Sequence, residues 1–141
     1  MILLAHLLLG AAIGSYIKYP ILAIILAFLS HYILDLIPHN EYSISNRKTA
    51  VFKVASDFCL GVLLIYIFSD NLLIIYVCAF VALIPDGFTV LEFLLPNKFL
   101  RAHSYFHREK LHFLKHKKIL AFWRIFSQAI VVIISIIILS I

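Results

Sequence analysis

The stretch Ile21-Leu22-Ala23-Ile24-Ile25-Leu26-Ala27-Phe28-Leu29-Ser30-His31-Tyr32-Ile33-Leu34-Asp35-Leu36-Ile37-Pro38-His39 decides how the chain reads. It is apolar from Ile21 to Leu29 without a break, and to Ile37 apart from Ser30, His31, Tyr32 and Asp35. A membrane helix needs about 20 predominantly apolar residues, so this run reads as a span that Pro38 closes. An ionisable group inside such a helix is costly, and His31 and Asp35 therefore call for a functional reason. Four positions apart, they share one helix face. Imidazole and carboxylate at that spacing can hold one metal ion or bridge two. The competing reading is a His–Asp hydrogen bond that joins helices.

Outward from this run, four more apolar stretches follow the same logic, over about 2–17, 51–68, 72–94 and 119–141. The 141 residues are 64% hydrophobic, with mean hydropathy +1.06. Soluble domains hold about 45–50% apolar residues, so this chain reads as an integral membrane protein. The expected fold is all-α: one membrane domain over residues 1–141, a bundle of about five spans, with a basic amphipathic segment at 97–118. Tyr19-Pro20 and Ser69-Asp70-Asn71 read as tight turns. The first run lacks a basic leader and carries His6, so it is expected to be a retained helix rather than a signal peptide. Cys59 and Cys78 sit in apolar runs without CxxC spacing, so metal ligands must be imidazole and carboxylate.

Charge sets the expected orientation. With five spans, Arg47, Lys48, Lys53, Lys98, Arg101, Arg108, Lys110, Lys115, Lys117, Lys118 and Arg124 fall on the side of the N-terminus, and only Lys18 falls opposite. Eleven of twelve cations on one side is a positive-inside pattern. It predicts insertion in the cytoplasmic (inner) membrane with the N-terminus inside and the C-terminus outside. The net charge of +5 then belongs to one face, where anionic lipid headgroups are the expected partner and nucleic acid is not. Nothing in the pattern speaks to oligomeric state.

The remaining intramembrane acids and histidines sit near the same edge. His6, Asp57 and Asp86 join His31 and Asp35 at matching depth. Pro85 is expected to disrupt its helix and expose backbone carbonyls beside Asp86. His103 and His107 repeat the four-residue spacing on the apolar face of the basic segment, whereas His112 and His116 fall on another face. A weak internal repeat links Ala5-His6-Leu7-Leu8-Leu9-Gly10 to Ser56-Asp57-Phe58-Cys59-Leu60-Gly61, and Leu36-Ile37-Pro38-His39 to Leu83-Ile84-Pro85-Asp86. Two such hairpins packed around an axis normal to the membrane would bring their polar residues face to face.

Ser30-His31 with Asp35, the Leu83-Ile84-Pro85-Asp86 run and the His103/His107 pair resemble the motifs of the YdjM-like membrane-bound metal-dependent hydrolases, whose early His matches His6. The resemblance covers most of the chain except the last helix. Here the Ser-His-x-x-x-Asp motif comes first, and Ser104 follows the first His of the pair. His31-Tyr32-Ile33-Leu34-Asp35 followed by Pro38-His39 is distantly similar to the zinc-dependent phospholipase C and P1 nuclease superfamily. That likeness implies phosphoester hydrolysis. The combined expectation is a divalent metal, zinc first, held by His6, His31, Asp35, Asp57, Asp86, His103 and His107. Asp35, Asp57 or Asp86 would serve as base, and Lys98, Arg101 and Arg108 would bind an anionic group. A site at headgroup depth suits a lipid phosphate better than a soluble metabolite. The rival expectations are a metal-ion or proton transporter and a non-catalytic scaffold. Polar residues are sparse in the outer half of the bilayer, which favours a one-sided site over a pathway.

Overall fold

The computed structural model describes residues 3–37, 47–95, 97–107 and 121–141. Readings that fall on Pro38, His39, Arg108, His112 and His116 lie outside the described residues. Seven helices and no strand occur among the described residues: α1 Leu3–Tyr16, α2 Pro20–Asp35, α3 Arg47–Phe68, α4 Leu73–Val81, α5 Ile84–Leu94, α6 Lys98–Tyr105 and α7 Ala121–Leu139. The stretches Val51–Phe68 and Phe122–Leu139 are long and apolar enough to cross a membrane, yet only 11% and 17% of them is buried. Exposed apolar surface of that extent suits a lipid surround. α1 and α2 are shorter apolar helices.

The expected helix over 72–94 is corrected by the structure to two helices, α4 and α5, bent by 44°. The cause is Pro85 at the start of α5. It has no N–H for the carbonyl one turn back, so the ladder breaks across Ala82 and Leu83. The two tight turns lie where the sequence places them. Tyr19 is extended before Pro20, as proline requires of its predecessor. Asn71 adopts φ 56° after Ser69-Asp70, a left-handed turn position that Asn tolerates.

α1 is the hub. It packs against α2, α3, α4 and α7. Leu7, Leu8, Ala11 and Ala12 of α1 meet Ile65 of α3, Ile75 and Ala79 of α4 and Leu139 of α7 in the main core. Close approach to α4 depends on Gly10 and Gly14. A Cβ on Gly10 would lie 2.6 Å from the Cys78 carbonyl oxygen and 2.7 Å from the Ala82 Cβ, and one on Gly14 would lie 2.9 Å from the Cys78 Cβ. Two glycines four apart let the helix backbones touch, the usual device where lipid removes the hydrophobic drive between helices. α3 packs on α1 and α7; an apolar cleft beside α4 is lined by Phe58, Cys59, Val62, Leu63, Tyr66 and Tyr76, and Phe58 meets Phe80 of α4 ring to ring.

Candidate metal centre

The bundle brings polar side chains together at one end. His6 lies in the first turns of α1, His31 and Asp35 in the last turns of α2, and Asp86 in the first turn of α5. His107 arrives in a turn of π-helix that follows α6. Asn97 starts α6 by accepting a hydrogen bond from the Leu100 N–H at 2.9 Å, which caps the helix and fixes its direction. α6 rests on α5, so the cap aims His107 back across Asp86.

Two carboxylates and three imidazoles interlock. Asp35 Oδ1 lies 3.3 Å from His6 Nε2, and Asp35 Oδ2 lies 3.1 Å from His31 Nε2 and 3.5 Å from His107 Nε2. Asp86 Oδ1 lies 3.7 Å from His31 Nε2 and 3.3 Å from His107 Nε2. Within each of two groups, His6/His31/Asp86 and His31/Asp35/His107, one ligand atom per residue lies within 4.8 Å of the others. The rings of His6 and His31 stack at 4.1 Å between centroids, and those of His31 and His107 at 5.2 Å. His6, His31, Asp35 and His107 are buried, whereas the Asp86 side chain is 45% exposed.

The bend between α4 and α5 settles the tautomer of His31. Its Nδ1–H donates to the Ala82 carbonyl at 2.7 Å. Nε2 points into the cluster, and in the neutral ring it carries the lone pair, the arrangement that orients metal-binding histidines. His6 is fully buried; its Nε2 faces the Asp35 carboxylate at 3.3 Å, and its Nδ1 has no hydrogen-bonded partner. A buried polar atom without a hydrogen bond needs an explanation, and an ion at the convergence supplies one. The donor set fits a small divalent ion in two further respects. Tetrahedral bonds of about 2.0–2.1 Å place neighbouring ligand atoms roughly 3.3 Å apart, as these contacts run. A dication would also balance the two carboxylates, whose burial unpaired would be costly.

Tyr32 forms a second tie between α2 and α6. Its hydroxyl is hydrogen-bonded to His103 Nε2 at 3.1 Å, and its ring lies edge-on to His31 and His107. Burial and, after it, the neighbouring imidazoles of His107 and His31 hold His103 below the usual histidine range, against the pull of Asp86.

Of the residues expected from the sequence, His6, His31, Asp35, Asp86 and His107 are brought together. His103 borders them through Tyr32 and belongs to neither metal-capable group. Asp57 lies half-buried in α3 and belongs to neither group. Lys98 and Arg101 are exposed on α6. The sequence reading assigned no role to Tyr32 or Ala82. Position offered a hint for both: Tyr32 sits between His31 and Asp35, and Ala82 is three residues before Pro85. Comparison with protein-family models, curated proteins and solved structures finds no match for this chain.

Proposed function

We propose that the chain is a membrane-embedded, metal-dependent hydrolase that cleaves a phosphoester at one membrane face. The convergence of three imidazoles and two carboxylates at one end of an apolar bundle carries this reading. The likeness of its motifs to the YdjM-like hydrolases adds the reaction class. His6, His31, Asp35, Asp86 and His107 would hold the ion, zinc first. Bound there, it would supply Lewis acidity and a water acidic enough to lose its proton near neutral pH.

The side chains divide the remaining work. Buried Asp35 bridges all three histidines and fixes their spacing. Asp86 is the carboxylate open to the outside, so it takes the proton of the attacking water. The water oxygen bonds to phosphorus as the ester P–O bond breaks, and the proton returns to the leaving alkoxide. Lys98 and Arg101, exposed on α6, hold the anionic group. Topology completes the reading: about five spans, N-terminus inside and C-terminus outside, with the site at the inner face of the cytoplasmic membrane.

The test uses full-length protein purified in detergent. Metal analysis should find bound zinc, which His31→Ala removes while the protein still inserts. Zinc-loaded protein should hydrolyse a phosphodiester, and a chelator should stop it. Absence of metal under all loading conditions would overturn the reading. Stoichiometric metal without hydrolysis but with metal flux into liposomes would replace it with transport.

A further inference from the structure

We propose that substrate enters the cluster sideways from the bilayer, along an apolar lane on α5, and is a membrane lipid whose headgroup carries the phosphoester; this rests on the hydrolase reading and names its substrate class. Four of the five clustered side chains are sealed: His6 and His31 are 0% exposed, Asp35 1% and His107 4%. Asp86 alone is open, at 45%. Among the described residues, Asp86 marks the approach to the centre.

On α5 the exposed side chains beside that opening are apolar. On α5, Val90 lies one turn from Asp86 on the same face, and Gly87 and Leu91 lie on the adjoining face. Val90 is 62% exposed, Leu91 39% and Ile84 38%. Gly87 is exposed as well, and a Cβ there would meet nothing within 4 Å. The other side of α5 is occupied: Pro85 is fully buried, and Phe88 packs edge-on against His103 and Phe99 of α6. The opening at Asp86 thus continues as an apolar lane. A water-soluble ester would gain nothing from such an approach, whereas an acyl chain lies along it while its headgroup reaches Asp86. Charge agrees with that occupant. Lys98 and Arg101 are exposed on α6 among exposed Phe99, Tyr105 and Phe106, the cation-and-aromatic mixture that suits headgroup depth and phosphate.

Gly87→Leu tests the lane, because the fold leaves room for the side chain and a lipid would not. The full-length, zinc-loaded protein is placed in nanodiscs of phosphatidylglycerol containing a photoactivatable acyl chain. Labelling should concentrate on residues 84–91, and Gly87→Leu should remove it there. Hydrolysis of phosphatidylglycerol relative to a soluble bis-aryl phosphate should fall by about tenfold or more, with metal content unchanged. If Gly87→Leu fails to insert or to take up zinc, Val90→Trp at its open position carries the same comparison. Labelling spread evenly over the lipid-facing sides of α3 and α7, or lipid turnover unchanged in a folded variant, would overturn the proposal. Labelling needs no turnover, so loss of all hydrolytic activity with the label still on α5 would sink the hydrolase reading and leave the lane standing.

Discussion

The hairpin α1–α2 and the run α3–α4 carry matching sequence signatures but differ in packing. His6 of α1 is fully buried at the cluster, whereas its sequence counterpart Asp57 is half-buried on α3, outside both metal-capable groups. Gly10 of α1 faces the α4 backbone at a distance no side chain fits, whereas Gly61 of α3 faces side-chain tips, those of Leu7 and Leu4. α1 packs against four helices, whereas α3 packs chiefly on α1 and α7. A shared motif thus yields a candidate ligand only where its helix is enclosed, since enclosure brings second and third donors within reach.

The largest expected effect separates the two acidic and histidine positions. His31→Ala should weaken zinc binding by more than the roughly 10–100-fold typical of losing an outer partner, while Asp57→Asn should leave it unchanged. Metal analysis and competition with a chromophoric chelator would read both. A comparable loss in Asp57→Asn would break the comparison by making α3 part of the site.

Next come the paired glycines. Gly10→Ala drives a methyl into a backbone oxygen and should cost about 1–3 kcal/mol in thermal unfolding in detergent. Gly61→Ala meets side-chain tips of Leu7 and Leu4 rather than backbone and gains helix propensity, so its cost should stay below about 1 kcal/mol. Equal effects would mean that α1 and α3 are equally enclosed. A smaller change follows from Pro85→Ala, which restores the missing N–H, favours a straight α4–α5 and withdraws the Ala82 carbonyl from His31. Zinc affinity should fall by about tenfold, as for other outer partners of a histidine ligand. The smallest is Tyr32→Phe, which deletes one hydrogen bond to His103 worth roughly 0.5–1.5 kcal/mol. It should raise the off-rate of zinc severalfold without changing stoichiometry.

These expectations also mark what the sequence makes legible. The apolar runs announce helices, and Tyr19-Pro20 and Ser69-Asp70-Asn71 announce turns, because proline and asparagine act locally. The consequence of Pro85 is local too: its missing N–H orphans the Val81 carbonyl and breaks the helix, and at that break His31 takes the neighbouring Ala82 carbonyl. His31 and Asp35 are visible as a pair because one helix turn sets their spacing. Asp57 could not be told apart from Asp86 on the same grounds. Both are lone acids in apolar runs, and only the packing of α3 against α1 and α7 rather than against α2 separates them. The Gly10/Gly14 contact was equally hidden, since small residues four apart state that something approaches but not which helix does.

The central position of α1 has a consequence for assembly. Its partners α4 and α7 lie about 60 to 130 residues further along the chain. As synthesis proceeds, α1 and its immediate neighbour α2 emerge well before the helices that will enclose them. His6 must therefore wait, beside Asp35 or against lipid, until α4 reaches Gly10 and α7 closes over Leu8. The slow event in making this protein is expected to be the late docking of helices onto an early one, and any factor that shelters a short apolar hairpin at the translocon would act during that interval.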